Sequence, residues 1–461
     1  MVSVLAIDIG SSSVKAGVLL GTSPAGGLAR APFPTTYDGT RAEVDPAAIL
    51  RALSAAARQA VGNSVLTRRR IEVVALSTMS PSWVAIGKNA KPLSPVITHQ
   101  DRRSTAEALH IEKSFGLAEH LSVTGNRPVP GGISSTTALW FARHHKPLLR
   151  KAHLVGHLQT LVLNTLTGAR AIDPSNASFT GLWQTCLAPE PSGSTIPGWQ
   201  GELVRLAGLK SSLLPAVLPG DSVAGTLTPE GARMLGLPGG TPVLTGVVDT
   251  SAAVLLAGSR PGMLINVSGS TDVLAVITED PRPDPRYLTR HLGVGQKWLS
   301  VMTLGAAGSA LVWAKSALFP DLSEPAFFSL ARKLAKLPTP PPSACSFSPY
   351  LAGSRVDVVQ PAAAFSNLRL STTREDMLLA ILTSLSAASA ARIPILKSAS
   401  SARLRREVLR TGGANQLLSK LLHRSWPPPP RSPKSFPKWR FIDIPEATLQ
   451  GLGQLAQAHP V

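Results

Sequence analysis

The sequence predicts an α/β protein of two related lobes, on three observations. Apolar runs of strand length alternate with segments of helical period. The chain has 461 residues, too many for one ordinary core. One hairpin pattern also occurs twice, once in each half. The first copy is Ser3-Val4-Leu5-Ala6-Ile7-Asp8, the small-residue turn Gly10-Ser11-Ser12-Ser13, and the run Val14-Lys15-Ala16-Gly17-Val18-Leu19-Leu20. It reads as strand, tight turn, strand. The second copy is Met263-Leu264-Ile265-Asn266-Val267, the turn Ser268-Gly269-Ser270-Thr271-Asp272, and the apolar run 273–277. Between them, Asp45-Pro46 opens a helix, Asp45 as the N-cap and Pro46 in the first helical position. Ile49, Leu50, Leu53, Ala57 and Val61 continue it at helical spacing, and residues 71–76 read as a strand. The stretch Pro238-Gly239-Gly240-Thr241-Pro242 breaks the chain before the second set of strands. It divides the protein into domains 1–243 and 244–461.

Bulk properties exclude several classes. Hydrophobic residues make up 44% of the chain, enough to bury a sizeable core, so global disorder is excluded. Cys186 and Cys345 are the only cysteines. They form neither a disulfide framework nor a Cys/His ligand spacing, which fits a reducing cytoplasm. No basic n-region precedes Asp8 and no cleavage site follows, so no signal peptide is expected. The most apolar later stretch, 377–391, is short for a bilayer and carries serines. It reads as a buried helix, and no membrane partner is expected. The net charge is +19, with basic clusters at 68–70, 102–103 and 403–406. With three tyrosines and no nucleic-acid-binding motif, this reads as a basic surface suited to anionic substrates, not as a nucleic-acid interface. The proline-rich stretches 337–343 and 423–438 read as exposed loops, the second with polyproline character.

The sequence has no Walker A loop, no GxGxxG after a strand, no HExxH and no GxSxG. If the protein binds ATP, another geometry does it. Backbone N–H groups in a Gly/Ser turn form an anion-binding concavity, and turns 10–13 and 268–271 both have that composition. Asp8, beside the first turn, would either hold Mg²⁺ through water or satisfy turn N–H groups. Asp249 stands between the apolar run 244–248 and a small-residue helix start. It would either cap that helix or, facing the phosphate turns, take the proton from an attacking hydroxyl.

These pieces, taken in order, resemble the FGGY carbohydrate kinases, the group that includes xylulokinase and glycerol kinase. Asp8-Ile9-Gly10-Ser11-Ser12-Ser13-Val14-Lys15 matches the family's opening phosphate motif. Ile97-Thr98-His99-Gln100-Asp101-Arg102-Arg103-Ser104 and Asp173-Pro174-Ser175-Asn176-Ala177-Ser178 look like its sugar-site segments. Gly246-Val247-Val248-Asp249 falls where the family has its catalytic G-x-x-D, and Val267-Ser268-Gly269-Ser270-Thr271 matches the second phosphate turn. Tyr350-Leu351-Ala352-Gly353-Ser354-Arg355, Thr411-Gly412-Gly413-Ala414-Asn415 and Glu446-Ala447-Thr448-Leu449-Gln450-Gly451 resemble its later motifs. The departures are Met79-Ser80 for a Met-His pair, His99 for a Trp, Val248 for a small residue, Ser354 for a Glu, and a rewritten stretch after Asn415.

The resemblance implies two RNase-H-like domains of the actin-like fold, with ATP and sugar in the cleft between them. It implies Asp249 as general base and Asp8 near Mg²⁺. Gly10, Ser11, Ser12, Ser13, Lys15, Gly269, Ser270 and Thr271 would meet the phosphates of ATP. Gly412, Gly413, Ala414 and Asn415 would meet the adenosine. Met79, Ser80, Gln100, Asp101, Arg102, Asp249 and Thr250 would meet the sugar. The implied activity is ATP-dependent phosphorylation of a sugar hydroxyl, with a ketose such as xylulose first. Sedoheptulose-like ketoses, glycerol and other polyols are the alternative acceptors. A catalytically degenerate relative that senses nucleotide or sugar is the alternative in kind, and a homodimer remains an open assembly.

Overall fold

A computed structural model describes the whole chain except residues 67–69, 188–197, 257, 339, 342, 414–415, 430–437 and 459–461. It divides into two compact units: Met1–Arg260 with Glu279–Leu299 and Glu446–Val461, and Pro261–Thr278 with Ser300–Pro445.

The first unit is organised around strand Ser3–Ile9. Val4 to Ile7 are buried on both faces, so the strand is a continuous apolar run without alternation. It pairs antiparallel with Ser13–Leu20, closing the first hairpin with Asp8 opposite Lys15 and Ile9 opposite Val14. On its other side it pairs parallel with Val73–Thr78, Asp8 opposite Ser77. Strand Val73–Thr78 also carries Pro242–Leu244 and Val247–Val248, both parallel to it. Helix Pro46–Gly62 packs on this sheet through Ile49, Leu53, Ala56 and Ala57, and the Asp45 carboxylate accepts the Ala47 N–H at 2.9 Å as its N-cap. A second, five-stranded sheet runs in the order Leu154–His157, Ser82–Ile86, Val96–Thr98, Arg41–Val44, Thr36–Asp38.

The second unit repeats the local topology. Strand Leu264–Ser268 pairs antiparallel with Asp272–Thr278, Ser268 opposite Asp272, and parallel with Glu407–Thr411, which pairs in turn with Arg440–Asp443. Its apolar core draws Leu311, Phe327, Leu378, Leu382 and Leu421 from four helices, with Phe319 from the end of the first. The repeated hairpin read from the sequence thus lies at the centre of each unit, each time with a parallel strand beside its first strand.

The division of the chain does not follow a cut at 243/244. Pro242–Leu244 and Val247–Val248 are strands of the first unit's own sheet, so the Pro-Gly stretch at 238–242 is a loop inside that unit. Residues 446–461 return to the first unit, where Leu449, Leu452 and Leu455 of helix Ala447–Gln457 pack on Val4, Leu19 and Val73. The apolar stretch 377–391 lies inside the longer helix Arg374–Ser398, opened by a capping box between Thr373 and Asp376. Among the described residues this helix alone is long and apolar enough to cross a membrane by length and composition. It carries the buried Arg392 and contributes Leu378, Ile381, Leu382 and Leu385 to the second unit's core. Parts of the basic cluster 68–70 and of both proline-rich loops lie outside the described residues, and His423 ends helix Gln416–His423 instead of opening a loop.

Candidate active site

Asp8 and Asp249 stand at the carboxyl ends of parallel strands of one sheet, where open α/β sheets place ligands. Strand order puts Val73–Thr78 between them: Asp8 is opposite Ser77, and Val248, the residue before Asp249, is opposite Thr78. Asp8 is partly buried, and its Oδ1 accepts the Ser77 hydroxyl at 2.8 Å. Burial and the neighbouring Asp249 charge push its carboxyl up to about 7, while the Ser77 hydrogen bond and Lys15 pull it down only in part. Such a site fits a hydrated divalent cation, because a hard carboxylate oxygen is available and a positive charge relieves the repulsion between the two acids. Among the described residues no group of three His, Cys, Asp or Glu could hold a metal ion directly.

Lys15 does not stand free beside the first turn. Its Nζ binds the Glu446 carboxylate at 2.7 and 3.1 Å, and Glu446 has φ +49° where helix Ala447–Gln457 begins. In turn 10–13 the Gly10 N–H donates to the Ser13 carbonyl at 3.1 Å, Ser11 and Ser12 are exposed, and the Ser13 hydroxyl accepts Arg30 Nε at 3.0 Å.

Asp249 opens helix Asp249–Leu256, and its Oδ1 accepts the N–H and hydroxyl of Thr250 at 2.5 and 2.9 Å. The segment before it is held by buried polar groups. The Val248 N–H donates to Ser175 Oγ at 2.9 Å, and the Asp173 carboxylate accepts the Ser175 N–H at 2.7 Å and its hydroxyl. Asn176 Nδ2 donates to Gln159 Oε1 at 2.6 Å and to Asp173 Oδ1 at 2.7 Å, while Gln159 donates to the Thr245 carbonyl. Asp173, Ser175 and Asn176 are all fully buried, so the segment 173–178 acts by fixing 245–248 under the candidate base. Gly246, at φ +81°, has no room for a Cβ, which would lie 2.2 Å from the Leu76 carbonyl oxygen. Behind the same helix, a Cβ on Gly451 would lie 1.8 Å from the Ala252 carbonyl oxygen.

Arg290, in strand Leu288–His291, is 1% exposed. Its Nη1 donates to Ser251 Oγ at 2.6 Å and its guanidinium lies 5.5 Å from the Phe179 ring. Its Nε has no hydrogen-bond partner among the described residues. Burial pulls its pKa down to about 10, against the opposing pull of Asp249 and Asp173.

The residues expected at the sugar fall into two groups. Met79 is buried in the core and its N–H donates to the Ile9 carbonyl at 2.8 Å. Ser80 Oγ lies 3.2 Å from His157 Nδ1, and His157 Nε2 lies 2.9 Å from Ser134 Oγ. Burial pulls that imidazole down to about 4, so it is neutral. Gln100, Asp101 and Arg102 belong to a cluster on the second sheet. Gln100 Oε1 accepts the Tyr37 hydroxyl at 2.7 Å. The buried Asp101 carboxylate is filled by the Ala42 N–H at 2.8 Å and by Arg103, which also pairs with Glu43 at 2.5 Å. Arg102 Nη1 donates to the His99 and Asp101 carbonyls at 2.7 and 3.0 Å. Asp101 therefore organises this segment, with its carboxylate turned to Ala42 and Arg103.

In the second unit, the Gly269 N–H donates to the Thr271 carbonyl at 2.8 Å, closing the second turn. The Ser270 carbonyl accepts the N–H groups of Ala307 and Ser309 at 2.9 and 3.1 Å, and the Gly269 carbonyl accepts that of Gly308 at 3.0 Å. The start of helix Gly308–Leu318 thus clamps the turn. Gly412, at φ +108°, packs against Ser268, whose carbonyl oxygen would lie 2.2 Å from an added Cβ. Gly413 is exposed beside it, while Ala414 and Asn415 lie outside the described residues. Helix Gln416–His423, which leaves this loop, borders a groove of about 1150 Å³ whose lining includes Phe328, Leu417 and Leu421 together with Lys333, Lys336 and Lys420. A smaller cavity of about 470 Å³ touches Thr411, Gly412, Ser419 and Lys420.

Residues 3–256, more than half of the chain, match the model of the FGGY family of carbohydrate kinases, N-terminal domain. The chain belongs to the FGGY family of carbohydrate kinases. Among curated proteins it is similar to the gluconokinase of Bacillus subtilis, 25% identical over 391 residues, covering 82% of this chain and 74% of that one. It is also similar to the xylulose kinase of Staphylococcus xylosus, 22% identical over 409 residues, covering 86% and 80%. Its match to the autoinducer-2 kinase of Yersinia enterocolitica, 27% identical, covers 62% of this chain and spans about half of that relative's length, 53%. Among solved structures, xylulose kinase from Rhodospirillum rubrum superposes with a TM-score of 0.80 at 22% identity, over 99% of this chain and 89% of that one. Plasmodium falciparum glycerol kinase with ADP gives a TM-score of 0.78 at 16% identity, over 99% and 89%. At these identities the likeness is one of fold, the two-domain actin-like architecture of RNase-H-like units.

Within this FGGY kinase, sequence reasoning missed Ser77, Gln159, His157, Arg290 and the clamp at 307–309. The run Gly305-Ala306-Ala307-Gly308-Ser309 does carry a signal, small residues ahead of a helix. Arg290 carries none, because only the fold takes it out of water.

Proposed function

We propose that this chain transfers the γ-phosphoryl group of ATP to a hydroxyl of a small sugar, with a ketose such as xylulose as first acceptor. Sedoheptulose-like ketoses and polyols such as glycerol are the alternatives. The observation that carries the reading is the placing of Asp249 and Asp8 at strand ends on either side of Val73–Thr78, where Asp249 would act as base and Asp8 would hold a hydrated cation. Asp249 takes the proton of the acceptor hydroxyl as its oxygen attacks the γ-phosphorus. The bond to the bridging oxygen breaks and ADP leaves with that electron pair. Mg²⁺, held through water by Asp8, would neutralise phosphate charge. Turns 10–13 and 269–271 supply N–H groups to the phosphates. Lys15 would meet the phosphates beside the first turn, its ammonium paired with Glu446. On the nucleotide side, Gly412 and Gly413 would meet the adenosine with Ala414 and Asn415, and the groove along helix Gln416–His423 offers an apolar wall for the base. Gln100, Arg102, Ser80 and Thr250 would address the sugar hydroxyls. A cytoplasmic site of action, with ATP at hand, follows from the same reading.

The test is ADP release measured with Mg²⁺-ATP against a panel of ketoses, aldonates and polyols, with Asp249→Asn run in parallel. Turnover on one acceptor class, lost in the variant, supports the reading. ADP release no faster than the variant's on every acceptor, with nucleotide still bound, would replace it with a nucleotide or sugar sensor.

A further inference from the structure

We infer that the buried Asp272–Arg392 pair is a positioning device for the second phosphate turn, and that His423 ties it to the helix leaving residues 412–413. This rests on the proposed nucleotide role of that turn.

Asp272 directly follows Thr271 and closes the hairpin opposite Ser268. It is 0% exposed and Arg392, from helix Arg374–Ser398, is 5% exposed. Arg392 Nη2 bonds Asp272 Oδ2 while Nη1 donates to the Asp272 backbone carbonyl at 2.9 Å, so one planar guanidinium fixes both the side chain and the main chain at the end of the turn. The other carboxylate oxygen, Oδ1, accepts Asn266 Nδ2 at 2.7 Å. Asn266 Oδ1 in turn lies 3.0 Å from His423 Nε2, which donates to it. Ser389 Oγ accepts Arg392 Nη2 at 3.0 Å and Trp426 Nε1 at 2.9 Å. The hairpin and the long helix therefore meet on one carboxylate, and the helix whose first turn follows the adenosine loop reaches it through Asn266.

A buried ion pair contributes little net stability compared with apolar residues of the same volume, so stability alone does not account for this one. What it does supply is geometry. The Gly269 and Ser270 carbonyls are held from one side by the N–H groups of 307–309. The Asp272–Arg392 pair holds the turn's other end. Between the two clamps, the orientation of residues 269–271 is determined before any phosphate arrives, and preorganised donors are the ones that bind without a reorganisation cost.

The experiment measures binding of a non-hydrolysable ATP analogue by calorimetry, and ATP and sugar KM where turnover is found, for wild type, Asp272→Asn, Arg392→Met and Arg392→Lys, with a thermal melt of each. The expected result is a rise of ~10-fold or more in the analogue's Kd and in the ATP KM for Asp272→Asn and Arg392→Met. The sugar KM should stay within about twofold, with partial recovery in Arg392→Lys. Asp272→Asn keeps the side chain's shape and decides the matter if Arg392→Met does not fold. If wild type binds the analogue and the folded variants bind it as tightly, the positioning role is overturned while the kinase reading stands. If wild type binds no analogue, the nucleotide reading falls, and this inference with it.

Discussion

Replacing Arg290 by Met should make the protein more stable and less active. The guanidinium is 1% exposed, donates one hydrogen bond, to Ser251, and lies within 4 Å of no carboxylate among the described residues. Burial lowers its pKa from 12.5 to about 10 even with Asp249 and Asp173 drawing it up. Arg290 is charged at neutral pH in folded and unfolded chain alike, so the folded state carries the penalty at every pH below about 10. A fall of that size corresponds to ~3 kcal/mol. Losing the Ser251 hydrogen bond gives back ~1.5 kcal/mol, and Met keeps the packing against Phe179. The net gain is ~1–2 kcal/mol, which for a unit of this size raises Tm by ~2–3 °C. Turnover should move the other way, by ~10-fold or more, because Ser251 lies in the first turn of the helix that Asp249 opens and the base loses a buried positive charge that interacts with it. Thermal melts without nucleotide and steady-state ADP release check the two halves. A lower Tm would refute the claim that this charge is under-compensated. A higher Tm with unchanged turnover would refute its tie to the base.

Three other outcomes follow from the site. Asp249→Asn should keep nucleotide binding and lose turnover by ~10²–10⁴-fold, read by calorimetry and ADP release together; retained turnover would remove Asp249 as the base. Asp8 has a folded-state pKa of about 7 against an ordinary 3.8, so the fold favours its neutral form. The resulting penalty is absent below pH 3.8, grows as pH rises through 7 and is full above it. Asp8→Asn should therefore melt above wild type at pH 8 and alongside it near pH 4, and Mg²⁺ should raise the wild-type Tm at pH 8 but not the variant's. A variant less stable at every pH would show that the carboxylate mainly stabilises its turn. Gly451→Ala should cost ~1–3 kcal/mol in a denaturant titration and lower turnover as well, since its Cβ would meet the Ala252 carbonyl behind Asp249; a silent substitution would show that the two helices slide apart freely.

The fold was legible where local pattern and tertiary demand agree. Ser3–Ile9 and Leu264–Ser268 are buried strands next to small-residue turns, and both the apolar run and the turn chemistry announce them. The boundary was not legible at 238–242, because a Pro-Gly loop looks the same between domains as within one. What decides is whether Val247–Val248 pairs with Val73–Thr78, a contact of high sequence separation that no local signal carries. In the candidate site, the flanking motifs single out Asp8 and Asp249, and the strand register sets them on either side of Val73–Thr78. Asp101 has the motif, and in the structure its oxygens accept from Ala42 and Arg103. Motif spacing locates a carboxylate but does not say which way its lone pairs are spent. Asp272 and Arg392 were silent for a related reason, being 120 residues apart and meaningful only as a pair.

Helix Ala447–Gln457 bears on how the protein is made. The first unit's core includes Leu449, Leu452 and Leu455, and the back of the Asp249 helix rests on Gly451. A ribosome delivers those residues only after it has synthesised the whole of the second unit. The nascent first unit therefore waits, with an apolar strip from Val4, Leu19 and Val73 still uncovered, while the second unit can complete its own core. A chain released before residue 447 would present that strip to chaperones and proteases while its Asp249 helix lacked its support.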